Sequence, residues 1–96
     1  MIKGVARVVI KPGNKAAFMD LAREFVALNR KETGNISYKL FENLQNQLIM
    51  TFIEAWADAD ALEHHLASEH FMRLAPQMTA LQEGPAQAEI YRDTGL

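Results

Sequence analysis

Leu48-Ile49-Met50-Thr51-Phe52-Ile53-Glu54-Ala55-Trp56-Ala57-Asp58 is the stretch on which the fold of this chain turns. A short, nearly unbroken apolar run from Leu48 to Ile53 reads as a strand buried on both faces rather than an alternating, half-wet one. It leads directly into Glu54 and Trp56, so a carboxylate and an indole stand at the strand's exit. Burying a carboxylate is costly unless it finds donors, and an indole N–H seeks an acceptor, so the pair marks a candidate site. Asp58 then offers a side-chain cap to a helix on which Ala61, Leu62, His65 and Leu66 share a face. Ser68 offers a second cap to a segment carrying Phe71, Leu74, Ala75 and Met78, and Pro76 predicts a kink or restart there.

Working outward, Ile2 to Lys11 is rich in Val and Ile and closes on Pro12-Gly13, a strand followed by a turn. Asn14 is placed to cap a helix from Lys15, where Phe18, Leu21, Ala22, Phe25, Val26 and Leu28 recur at helical spacing. Arg30 and Lys31 complement the negative helix end, and Gly34 fits the stop beyond it. Asn35 to Glu42 and Gln47 to Trp56 flank the polar Asn43-Leu44-Gln45-Asn46, which predicts an antiparallel hairpin. Gly84-Pro85 ends the helical region, and Ala86 to Arg92 is a last short strand. The order strand, helix, strand, strand, helix, strand predicts a single α+β domain over residues 1–96. Its arrangement is ferredoxin-like, βαββαβ, with helices on one face of an antiparallel sheet. No further helix remains for the second sheet face, so a second copy of the chain, a homodimer, is its simplest cover.

Composition narrows the function classes. The chain has 96 residues, 49% hydrophobic and 23% charged, which suits a compact fold and excludes a disordered tail. Ten basic residues scattered among twelve acidic ones give a net charge of −2, without the clustered cations that nucleic acid binding needs. No cysteine is present, so disulfides, thiolate metal sites and a cysteine nucleophile are ruled out. The start reads as strand rather than secretion leader, and no apolar run spans a bilayer, so a cytoplasmic protein without membrane contact is expected.

With the elements in this order, Glu54-x-Trp56-x-Asp58 followed by Ala61-Leu62, His65, Ser68 and His70-Phe71 resembles the antibiotic biosynthesis monooxygenase family. The resemblance implies a dimeric α+β barrel, sheets back to back, with a pocket between each sheet and its own helices. It also implies quinol-like or phenolic aromatic substrates oxidised by O2 without metal, flavin or other cofactor. A heme-degrading branch asks for an asparagine and a histidine where this chain aligns Ala6 and Ala75, which disfavours heme. Two other readings stay open: a dimeric module that binds a small molecule unchanged, and an isomerase of a small phosphorylated sugar.

In the oxygenase reading, Trp56 would stack on a flat substrate. His65 points toward the sheet, and its neutral imidazole would take a phenolic proton. His70, in the first turn after Ser68, would be held neutral by the helix dipole and serve as a second base or acceptor. Glu54 would orient a histidine, or else bond structural groups at the strand end. Tyr38 and Arg7 are candidates for binding substrate oxygens, and Phe52 and Met50 for the apolar wall. A metal site is not expected, because on one continuous helix His65 and His70 diverge by about 140°. Only a break near Ala67-Ser68 would let them converge.

Overall fold

The computed structural model describes residues 1–96. Strand β1 (Ile2–Val9) is followed by α1 (Lys15–Arg30), β2 (Asn35–Glu42), β3 (Ile49–Trp56), α2 (Ala59–Leu66), α3 (Glu69–Thr79) and β4 (Gln87–Arg92). All strand pairs are antiparallel, in the order β2-β3-β1-β4. This is the α+β ferredoxin-like arrangement, with the second helical segment divided in two. No helix is long and apolar enough to cross a membrane.

The two-residue period of a strand decides which side chains meet the helices. On β3, Met50, Phe52, Glu54 and Trp56 are buried toward them, as is Val8 on β1. α1 answers with Phe18, Ala22, Phe25 and Asn29, one stripe at intervals of four, three and four residues. The rings interlock at the centre: Phe25 meets Tyr38 edge-on at 5.7 Å and Phe52 at 5.8 Å between centroids. The opposite sheet face carries Val5, Val9, Ile49 and Ile53, only partly buried, and no helix lies over it.

Two corrections to the sequence reading are local. Asn14 occupies the cap position of α1, but its side chain makes no capping bond. Its backbone N–H is taken up in the Lys11–Asn14 turn instead, at φ −100° and ψ 0°, outside the extended range an N-cap adopts. Pro76 does not restart the segment, since α3 runs unbroken through it to Thr79. The carbonyl that Pro76 cannot bond belongs to Met72, 68% exposed, where water can satisfy it. The Asp58 and Ser68 caps form as expected, accepting from the backbone N–H of Ala61 and Phe71.

Gly34 positions more than a helix stop. Its φ of +84° favours glycine, and a Cβ there would stand 2.6 Å from the Ala61 Cβ. Its carbonyl also accepts from the Ala57 N–H at 2.8 Å. The turn after α1 is thereby pressed onto the start of α2, which carries Glu32 to the side of His65.

Candidate functional site

A cavity of about 210 Å³ lies between the sheet and its own helices. Ala75, Met78 and Phe71 of α3 wall one side, and Gly4, Ala6 and Ala88 of the sheet wall the other. The small residues at Ala6 and Ala75 leave this space open. Its polar groups are few: Tyr38, Glu54 and His65 toward the β3 exit, Thr79 and Gln82 toward the end of α3. No Lys or Arg lines it. Such an apolar chamber with a few convergent polar groups is the usual form of a small-molecule site.

Glu54 is buried at the strand end that the sequence singled out, and its Oε1 accepts the Trp56 indole N–H at 2.9 Å. It can reach that position only because residue 4, opposite it on β1, is glycine. A Cβ at Gly4 would lie 2.7 Å from the Glu54 Cγ. Tyr38 is the neighbouring phenol. Burial above all, then the negative charge of Glu54, push its ionisation well above the usual tyrosine range. Tyr38 therefore stays a neutral donor facing a carboxylate acceptor.

His65 is held from behind. Its ring lies 4.7 Å from that of Trp56, tilted by 30°, with Phe71 edge-on at 5.1 Å, and the residue is 1% exposed. Nδ1 sits 2.6 Å from Glu32 Oε2. A carboxylate only accepts, so a neutral His65 carries its proton on Nδ1 and leaves Nε2 bare. His65 lines the cavity and Nε2 makes no hydrogen bond to protein. The result is a fixed imidazole with an open lone pair in an apolar chamber, the arrangement of a base and its orienter.

Glu32, not Glu54, is thus the carboxylate that orients the histidine. Sequence reasoning missed it, since one acid in the polar run Arg30-Lys31-Glu32-Thr33 reads as a solvated helix end. His70 is drawn to the same oxygen, with Nε2 3.3 Å from Glu32 Oε2 and 3.4 Å from Ser68 Oγ. The convergence that a continuous helix forbids is permitted by the interruption at Ala67-Ser68, where α2 ends and α3 begins. The donor atoms of Glu32, His65 and His70 all lie within 4.8 Å of one another.

Of the candidates read from the sequence, His65, Glu54, Tyr38 and Phe52 meet at the cavity. Trp56, 0% exposed, does not line it and touches the site through its N–H and through the His65 ring. It offers no free face on which a substrate could stack. His70 stands behind His65 rather than in the chamber, and Met50 is packed in the core. Arg7 pairs with Thr51 and points to the other sheet face, beside Val9 and Gln87. A strand residue three positions from Gly4 must face away from it. Gly4 was legible in principle, because a lone glycine inside a strand signals close approach by a neighbour.

Comparison with known proteins agrees with this geometry. The chain is 31% identical to a crystal structure of a conserved protein from Methanosarcina mazei Go1, with a TM-score of 0.94, covering 97% of this chain and 92% of that one. It is 34% identical to a crystal structure of an antibiotic biosynthesis monooxygenase, with a TM-score of 0.92, covering 98% and 99%. An uncharacterised protein of Synechocystis is 29% identical over 85 residues, which are 88% of this chain but only 58% of that relative's length. The family model described as antibiotic biosynthesis monooxygenase matches residues 1–77, and the chain belongs to that family.

Proposed function

We propose that the chain is a cofactor-independent monooxygenase that oxidises a small phenolic or quinol substrate with O2. The observation that supports it most is His65 at the wall of an apolar cavity, fixed through Nδ1 by Glu32 and with its Nε2 free of any hydrogen bond to protein. A substrate hydroxyl placed there gives its proton to Nε2. Glu32 stabilises the imidazolium so formed, without itself leaving its place. The Tyr38 hydroxyl and the Glu54 carboxylate hold a second substrate oxygen. The phenolate is electron-rich and can reduce O2 directly. Conversion of a phenol ring C–H to a quinone carbonyl consumes one O2 and releases one water, with all four electrons coming from substrate. The enzyme supplies proton removal, positioning and a dry chamber.

The absence of Lys and Arg from the cavity wall weighs against a phosphorylated sugar, whose charge would need a cationic partner. Two copies packed through the open sheet face, around Val5, Val9, Ile49 and Ile53, complete the reading as a homodimer. Replacing Ile53 by Glu is expected to shift sedimentation from dimer to monomer.

Oxygen uptake measured with a panel of quinols and naphthols tests the chemistry. His65→Ala is expected to abolish turnover, and Glu32→Gln to slow it by roughly 100-fold or more, the scale lost with the carboxylate partner of a catalytic histidine. No uptake by the unaltered protein, or uptake indifferent to both substitutions, removes the proposal. Quenching of Trp56 emission by a ligand that remains chemically unchanged under air would favour a binding module instead.

A further inference from the structure

The cluster behind His65 is richer than a base needs. One carboxylate would orient the ring, yet Glu32 also meets a second imidazole, His70, and Ser68 Oγ stands beside it. We propose that His65 Nδ1, His70 Nε2 and Glu32 form a binding site for one divalent transition-metal ion of the zinc, cobalt, nickel and copper class.

Donor chemistry, spacing and access each support this assignment. Two imidazole nitrogens and one carboxylate oxygen suit these borderline ions, whereas calcium and magnesium prefer all-oxygen shells. Metal bonds of about 2.0–2.1 Å place neighbouring donors about 3–3.4 Å apart. The two imidazole nitrogens stand 2.6 and 3.3 Å from the Glu32 oxygen, and all three donors fall within 4.8 Å. Closing on an ion requires movement by about 1 Å, and the least constrained members can supply it. Glu32 lies in a turn rather than a helix. Its side chain is 14% exposed and that of His70 15%, so an ion has a way in from outside, while His65 is fixed in the core. Ser68, anchored by donating to the His65 carbonyl at 2.7 Å, is placed to bond a metal-bound water. His64, exposed on the far side of α2, takes no part.

The ion would sit on Nδ1, the ring nitrogen that meets Glu32. An imidazole coordinated at Nδ1 keeps its proton on Nε2, so the occupied site has no lone pair to offer a substrate. This corollary, inhibition by the metal, rests on the oxygenase reading; the site itself does not.

Trp56 is the only tryptophan, and its ring lies 4.7 Å from that of His65, so a paramagnetic ion bound there should quench its emission. Chelator-treated protein titrated with Cu2+ or Ni2+ is expected to show saturable quenching at one ion per chain, and with Co2+ a visible spectrum of nitrogen and oxygen donors. Glu32→Gln and His70→Gln should each weaken binding by at least the roughly 10- to 100-fold that loss of even an outer-shell partner brings. His64→Gln should change nothing. Far-UV circular dichroism verifies that the variants fold, and the cobalt spectrum of the unaltered protein needs no variant. Quenching that never saturates, that survives both Glu32→Gln and His70→Gln, or that His64→Gln removes overturns the site, as does a saturating excess of Co2+ without a protein-bound spectrum. None of these readouts requires turnover, so failure of the oxygenase reading and failure of the metal site are separately visible.

Discussion

Replacing Gly4 by alanine should disturb the candidate site from the other side of the sheet, and its sign should depend on Glu54. Gly4 and Glu54 are register partners on β1 and β3, with side chains on the same face. The new methyl carbon would stand 2.7 Å from Glu54 Cγ, 2.8 Å from Cδ and 3.1 Å from Oε1. Comfortable carbon contacts are about 3.5–4.0 Å, so Glu54 must retreat by about 1 Å. It is only 6% exposed and holds the indole of Trp56 at 2.9 Å. If the carboxylate swings into the cavity, a buried N–H loses its acceptor, at about 1–3 kcal/mol. If the strands part instead, overpacking costs about 1–3 kcal/mol. Removing a strand glycine returns roughly 0.5–1 kcal/mol, which leaves a net loss of about 0.5–2 kcal/mol. For a domain of this size that lowers Tm by roughly 2–16 °C. In a Glu54→Ala background the obstructing atoms are gone and only the backbone gain remains, so the same Gly4→Ala change should be neutral or stabilising. Urea unfolding of the four proteins of this cycle, followed by Trp56 emission, measures the coupling directly. Equal destabilisation in both backgrounds, or none in the first, would refute the close-approach argument.

Two further outcomes follow from the same geometry. Tyr38 ionises far above its unfolded value near 10, so the folded state holds a proton that the unfolded chain releases. That contribution is complete below about pH 10 and falls by about 1.4 kcal/mol per unit above it; urea midpoints at pH 9 to 11 should decline less steeply in Tyr38→Phe, and an identical slope would contradict it. Ser68→Ala removes the α3 cap and its bond to the His65 carbonyl, and should cost about 1 kcal/mol in urea unfolding, as Asp58→Ala should at the start of α2.

The element order, the hairpin, two of the three proposed helix caps and the inward-facing His65 were legible because they depend on local pattern. Strand alternation also tells that Phe52, Glu54 and Trp56 share a face. What stayed hidden depends on distance through space. Arg7 could not be turned away from the cavity until the β1 register was known. Trp56 announced itself by rarity, yet a ring sealed by Tyr38 and His65 is structural toward the chamber and chemical only through its N–H. Glu32 carried no signal at all, being one more charge after a helix until Gly34 pressed its turn onto α2.

The short joint between α2 and α3 has an evolutionary corollary. Each residue added to or taken from a helix swings everything beyond it by about 100°. Whether His70 shares an oxygen with His65 is therefore governed by where α2 stops and α3 starts, on either side of Ala67-Ser68, as strictly as by the histidines themselves. A relative that keeps both imidazoles but gains or loses one residue there would inherit the letters of the cluster without its convergence, and its phase along the chain is the trait that selection would have to guard.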